Sequence, residues 1–258
     1  MKIYALQYPI VWEDKNANQD QIEAQLDRVK PEAGALVVLP EFSCIGFTMR
    51  REGLAEEPGE ATQEFYARLA RKYGVTLIGG CSWWGPQGLG RNMALVLDPQ
   101  GQLLGSYCKQ HPFSFAGETE HYASGDEALI FPWEGVKVAP LICYDLRFPE
   151  SFRSLVVQGV EFFVVIANWP SARVHHWESL LLARAIENQA YVLGVNRCGQ
   201  DPKVSYPGST RLIDPQGQIV QALDDQPGIL HGDLDMDELR AYRKRFPALS
   251  DISRSPAL

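Results

Sequence analysis

The 258-residue chain has no apolar run near the roughly 18 residues that a membrane-spanning helix needs. Its first residues, Met1-Lys2-Ile3-Tyr4-Ala5-Leu6-Gln7, turn polar too soon for a secretory leader. Positive charge is also scarce, with 24 Lys and Arg against 32 Asp and Glu for a formal net charge of −8. So acidic a chain lacks the electrostatic footprint of a nucleic-acid binder, and its nearest approach to a basic tract, Arg243-Lys244-Arg245, is too short to build a groove. Metal-site patterns are missing as well. The 5 cysteines, Cys44, Cys81, Cys108, Cys143 and Cys198, are odd in number and scattered, with no C-x-x-C pair. The adjacent His175 and His176 point in different directions on a helix, and no H-E-x-x-H occurs. A disulfide framework, a zinc ribbon and a zincin are thereby excluded. The expectation is a protein of the cytoplasm with free thiols, with neither nucleic acid nor membrane as partner and no metal or other cofactor.

What is present is a large apolar fraction, 45% of residues, enough to bury a sizeable core. It is distributed as alternating strand and helix patterns. Lys2 to Gln7 reads as a strand, and Ile22, Leu26 and Val29 mark an amphipathic helix. Ala35 to Leu39 is a short, wholly apolar strand of the kind buried on both faces, stopped by Pro40. Phe65, Leu69 and Ala70 mark a second helix ended by Gly74, and strands follow at 75–78, 94–97 and 103–109. A loop rich in Gly, Ser and Glu covers 110–127, and Val136 to Ile142 is a strand running straight into Cys143. Pro149 and Glu150 open the next helix. Glu161 to Ala167 is another buried strand, and Trp177, Leu180, Leu181, Ala185 and Ile186 carry helical spacing. Strands at 192–196, 210–213, 219–223 and 229–234 complete the pattern, punctuated by turn signals such as Asp214-Pro215-Gln216-Gly217. With no repeat or linker, residues 1–258 are expected to form one α/β domain, with 247–258 as a surface arm or dimer contact. Periodicity alone does not decide between a single doubly wound sheet and two sheets packed face to face with helices outside.

Three reactive side chains share one setting, the downstream end of an apolar strand. Glu41 follows Ala35 to Pro40, Lys109 ends the strand from Leu103, and Cys143 ends the strand from Val136. If these strands are neighbours running the same way, the three converge at one sheet edge, where α/β folds place ligands. Together they make a nucleophilic set. Lys109 would favour the Cys143 thiolate, and Glu41 would take the thiol proton and return it to a leaving group. The strand-to-helix turn at Cys143 exposes the Tyr144 backbone N–H, which with the Lys109 ammonium would hold a developing oxyanion. Taken singly, each residue also suits a blander role: a solvated glutamate, a surface lysine, a packing cysteine.

The surrounding sequences decide between these readings. Leu39-Pro40-Glu41-Phe42, Lys109-Gln110-His111-Pro112-Phe113 and Leu141-Ile142-Cys143-Tyr144-Asp145-Leu146-Arg147-Phe148-Pro149-Glu150 occur in this order, with Ala167-Asn168-Trp169-Pro170, Ala183 to Gln189 and Val195-Asn196-Arg197 downstream. From Lys2 to about Phe246 the chain resembles the nitrilase superfamily of carbon–nitrogen hydrolases. The resemblance implies a four-layer α-β-β-α sandwich, a homodimer, a Glu41–Lys109–Cys143 catalytic set and a second acidic residue nearby. Glu118, seven residues before Gly125, suits that position better than Glu120. Pro112 departs from the usual Lys-x-His-Leu-Phe and bears on the shape of the pocket. Cys-Tyr-Asp-Leu-Arg-Phe-Pro-Glu resembles the ω-amidase branch, which implies hydrolysis of the side-chain amide of a 2-oxo acid such as 2-oxoglutaramate or 2-oxosuccinamate through a cysteine thioester.

Such a substrate carries a carboxylate. Arg147 is the nearest cation to bind it, with pairing to Asp145 or Glu150 as the alternative. Phe42, Phe115, Tyr122, Phe148 and Trp169 are candidate walls of a small pocket, or else core. Three rival readings remain: the related deaminated-glutathione amidases with their larger substrate, the isochorismatase-like class, and a catalytically dead scaffold. The second is disfavoured by Glu41, where that class usually has Asp, and by the chain length. The third is disfavoured by the intact Glu, Lys and Cys.

Overall fold

The computed structural model describes residues 1–254. The strand and helix order is β1 (Lys2–Gln7), α1 (Lys15–Val29), β2 (Leu36–Val38), α2 (Ala61–Tyr73), β3 (Thr76–Trp84), β4 (Gly90–Leu97), β5 (Leu103–Cys108) and α3 (Glu118–His121). The second half runs β6 (Phe131–Trp133), β7 (Val136–Ile142), α4 (Pro149–Val156), β8 (Phe162–Ala167), α5 (Val174–Asn188), β9 (Tyr191–Asn196), β10 (Cys198–Gln200), β11 (Ser205–Pro207), β12 (Arg211–Ile213), β13 (Ile219–Ala222), β14 (Gly228–Asp233) and α6 (Met236–Arg245). Two six-stranded sheets result, in the orders β14-β1-β2-β3-β4-β5 and β13-β12-β9-β8-β7-β6, beside a β10-β11 hairpin. The central strands β1, β2 and β3 are parallel to one another, as are β7, β8 and β9.

Period-two alternation explains why there are two sheets. In β1, Ile3 and Ala5 enter the core shared with the second sheet, while Tyr4 and Leu6 face the other way, into the layer under α1 and α2. In β2, Leu36 and Val38 point inward and Val37 outward. Each strand is therefore apolar on both faces, because one face meets a sheet and the other meets helices. On the far side, Phe152 and Leu155 of α4 and Trp177 and Leu181 of α5 cover the second sheet. The order of layers is helix, sheet, sheet, helix, which settles the choice that periodicity left open.

Local signals fix the helix ends. Asp14 caps α1 through a 3.0 Å bond from the Ala17 N–H, and Gly74 ends α2 with a left-handed φ of 65°. The structure adds elements to the pattern read from the sequence. β6, β10 and β11 are three-residue strands, each containing a Pro or Gly that reads as a turn. α6 is mostly polar, with only Met236 and Leu239 buried, but Asp235 caps it and Arg243-Lys244-Arg245 fill its last turn, where cations suit the helix dipole. The basic triplet is thus a helix terminus, and Arg243 donates to the backbone carbonyls of Gln189 and Val160. The C-terminal arm is a short 3₁₀ segment at Ala248–Arg254, with Leu249 and Ile252 packed against the core. The rest of the expected arm, 255–258, lies outside the described residues.

One close approach links the fold to the chemistry. A Cβ at Gly80 on β3 would lie 2.5 Å from the Phe42 nitrogen and 2.7 Å from the Glu41 Cα. These are backbone atoms that cannot rotate aside. Gly80→Ala is therefore expected to cost about 1–3 kcal/mol of stability, read as a lower urea midpoint, and to push the segment bearing Glu41 out of place. An unchanged midpoint would mean that this backbone yields freely.

Candidate active site

Pro40 stops β2, and the chain turns across Gly80 into Glu41, whose side chain is fully buried. Lys109 follows β5 and is anchored by its backbone N–H to the Asn92 carbonyl of β4 at 2.8 Å. Cys143 follows β7 with a φ of 47°, a left-handed backbone that a non-glycine residue adopts only at an enforced sharp turn. β2 and β5 belong to one sheet and β7 to the other. The three strands are therefore not neighbours in one sheet. The residues meet where strand ends of two facing sheets come together, and each sheet alone would hold only part of the set.

At the centre the Lys109 Nζ lies 2.9 Å from Glu41 Oε1 and 2.9 Å from Glu118 Oε2, all three side chains being out of solvent. Glu120, two residues on, is exposed. Burial works against the Lys109 charge, but Glu118 and Glu41 outweigh it and hold the ammonium well above its usual range. Two carboxylates around one ammonium leave an excess of negative charge, which neutral donors offset. Asn92 Nδ2 donates to Glu41 at 2.7 Å and to Glu118 at 2.9 Å, the Asn168 backbone N–H donates to Glu41 Oε2 at 2.7 Å, and the Phe113 N–H donates to Glu118. Burial and then Glu41 push the Cys143 thiol well above its ordinary value, and Lys109 opposes them without prevailing. Lys109 thus favours the thiolate in the expected direction, while burial and Glu41 work against it.

Asp145 ties the cysteine turn to the lysine loop. Its buried carboxylate accepts the Ile142 N–H at 3.0 Å within its own turn and the Tyr107 hydroxyl at 2.8 Å. It also accepts the His111 N–H at 3.0 Å, with the His111 Nδ1 at 2.8 Å, and the His111 ring stacks on Phe148 at 3.7 Å. Asp145 is thereby engaged elsewhere, and among the described residues Arg147 makes no ion pair with it or with Glu150, its Nη2 lying instead 3.0 Å from His176 Nδ1.

A cavity of about 180 Å³ opens over Cys143, lined in part by Tyr144, Arg147, Asn168, Trp169 and Phe115. Phe47, Phe113, Tyr206 and a second arginine, Arg173, also line it, and the sequence reading did not single these out. Phe42 and Tyr122 do not reach the cavity. Their rings pack on each other at 5.3 Å behind the site, and the Tyr122 hydroxyl is spent on the Thr48 carbonyl, which corrects their reading as walls. Phe148 likewise sits under His111 and does not line the cavity. Pro112 is buried beside the lysine loop and lies outside the cavity lining. Asn92 was missed too, although a buried amide in the apolar run of β4 is a signal that the sequence does carry.

The carbon-nitrogen hydrolase family model matches residues 2–244. The ω-amidase YafV of Yersinia enterocolitica is 38% identical, over 98% of this chain and 97% of its own. The 2-oxoglutaramate amidase of Bacillus subtilis is 32% identical over 98% and 97%. Among solved structures, the Xanthomonas campestris protein XC1258, with an arsenic adduct in its active site, superposes with a TM-score of 0.91 at 33% identity, covering 100% of this chain and 98% of the other. The E41Q mutant of the Nesterenkonia sp. AN1 amidase, which shows Michael addition of acrylamide at the active-site cysteine, gives 0.82 at 25% identity over 96% and 98%. With the sandwich architecture and a family match across nearly its whole length, the chain belongs to the carbon-nitrogen hydrolase family.

Proposed function

We propose that this protein is an ω-amidase, a thiol amidohydrolase that cleaves the side-chain amide of 2-oxoglutaramate or 2-oxosuccinamate to the acid and ammonia. The observation that carries this reading is the polarity of one small cavity. Cys143, whose charge the buried Glu41–Lys109–Glu118 cluster bears on, lines it together with Arg147 and Arg173, which have no carboxylate partner among the described residues. A volume of about 180 Å³ is below the roughly 300–1,000 Å³ of drug-sized sites and favours a short acid amide over the larger deaminated glutathione. The names borne by the Yersinia and Bacillus relatives support the same class.

In this mechanism the resting thiol is neutral and needs a base. Glu41 takes the Cys143 proton as the sulfur attacks the amide carbonyl, forming the C–S bond and moving the carbonyl electron pair onto oxygen. Lys109 and the Tyr144 N–H, in the first turn of a short helix where amides lack intrahelical acceptors, hold that oxyanion. Protonated Glu41 passes its proton to the departing nitrogen, so ammonia leaves and a thioester remains. Glu41 then deprotonates the water that attacks the thioester, and the thiol is restored as the acid leaves. Glu118 and Asn92 keep Lys109 and Glu41 in register. Arg147, over the Trp169 ring at 5.0 Å and with Nη2 3.0 Å from His176 Nδ1, receives the substrate carboxylate. The reading extends to one catalytic domain over 1–258, working in the cytoplasm as a homodimer. The apolar side chains Val157, Ile186 and Phe246, each more than half exposed, support a dimer contact.

Ammonia release from 2-oxoglutaramate tests the reading. Cys143→Ala is expected to lose at least about a thousandfold in kcat, and Glu41→Gln about 10²–10⁴-fold. Substantial turnover by Cys143→Ala would sink the scheme. The raised thiol sets a second expectation. Its thiolate fraction, and with it the rate of alkylation by iodoacetamide, should climb about tenfold per pH unit from pH 6 to 9. A plateau near pH 7 would reveal a standing thiolate and remove the need for Glu41 as base.

A further inference from the structure

The cavity holds two arginines, whereas a 2-oxo acid amide has one carboxylate, and the two guanidiniums are held in different ways. Arg147 is fixed on three sides, by the His176 ring nitrogen at 3.0 Å and by the faces of Trp169 at 5.0 Å and Tyr144 at 5.8 Å. Arg173 has its backbone pinned, since its carbonyl accepts the Trp169 indole N–H at 2.7 Å. Its side chain rests only on rings, with the guanidinium 5.3 Å from the Phe113 centroid and 5.8 Å from that of Phe115. It makes no hydrogen bond or ion pair among the described residues. Phe115 is 84% exposed, so this contact lies at the mouth of the cavity. Phe113 and Phe115 come from the loop after β5 in the first sheet, and Arg173 from the turn after β8 in the second, so the contact spans the opening.

We propose that Arg173 is a specificity-determining residue, a second guanidinium that closes on the substrate carboxylate opposite Arg147 and sets the preference for anionic over neutral amides. The inference rests on the amidase reading above and deepens it. An exposed cation–π contact is weaker than a charge-assisted hydrogen bond, so a carboxylate entering the mouth displaces the rings from Arg173 at a net gain. The backbone pin keeps the guanidinium within reach while leaving its donors free. The charge layout also orients the ligand. Glu41 and Glu118 around Lys109 form a buried, net-negative cluster, while Arg173 stands against the exposed Phe115 and Arg147 lines the same cavity. A substrate entering carboxylate-first towards the thiol meets repulsion, and one entering amide-first brings its neutral end to the negative cluster and its carboxylate to the arginines.

Steady-state kinetics on 2-oxoglutaramate and on pentanamide, a neutral amide of the same chain length, tests this with Arg173→Gln and Arg173→Lys. Arg173→Gln is expected to lower the kcat/KM ratio of anionic over neutral substrate about ten- to a hundredfold, chiefly through KM for the anion, because the contact is equally present in ground and transition states. Arg173→Lys should recover part of the ratio. An equal fall for both amides would mean that Arg173 only props the Trp169 turn, and would overturn the proposal, as would an unaltered ratio. If the wild type fails to hydrolyse 2-oxoglutaramate, the amidase reading falls on its own. The Cys143→Ala protein and its Arg173→Gln derivative are then titrated calorimetrically with 2-oxopentanoate. Weaker binding to the double variant upholds the two-arginine grip, and equal or absent binding to both overturns it.

Discussion

A lysine out of contact with water, held between two equally buried glutamates, is the constraint around which this molecule is arranged. Burying such ions is expensive, and the arrangement survives because every charge has a partner and the surplus carboxylate is covered by amide donors. Those donors come from far apart in the sequence: Asn92 from β4, Asn168 from the end of β8 and Phe113 from the loop after Lys109. Removing any one leaves a buried acceptor short, so the cluster holds the ends of both sheets to a single relative placement.

Asp145 does the corresponding work for the thiol. Cys143 occupies a left-handed backbone position, which is sustained only when its surroundings overdetermine it. The carboxylate two residues on binds the amide that precedes the turn and, at the same time, the hydroxyl and imidazole of the lysine strand and loop. Nucleophile and cation are thus tied by one acid that touches neither, and that acid is then unavailable to Arg147. Arg147 and Arg173 line the cavity without a carboxylate partner among the described residues, while the buried Glu41–Lys109–Glu118 cluster carries an excess of negative charge.

The architecture was legible to different depths. Strand and helix positions followed from alternation, apolar runs and caps, because those signals lie within one element. The strands β6, β10 and β11 did not, since Pro132, Gly199 and Pro207 break them with residues that read as turns. Phe42 and Tyr122 illustrate a second limit. An aromatic ring suits a pocket wall and a core equally well, and only the neighbouring Thr48 carbonyl and the facing ring show that these two are core.

By itself the sequence determined the chemical vocabulary and the family: Glu41, Lys109, Glu118 and Cys143 in motifs specific enough to be recognised, set at the ends of apolar strands. It did so because motif and strand end are local properties of the chain. Only the tertiary structure decided that these residues meet between two sheets and not along one. It also decided that burial and Glu41 push the thiol up against the pull of its lysine, that Asp145 serves the loop and not Arg147, and that Arg173 lines the same cavity as Arg147. Each of these depends on burial, or on contacts between residues distant in the chain, and desolvation and distance take their values only once the two sheets have closed on each other.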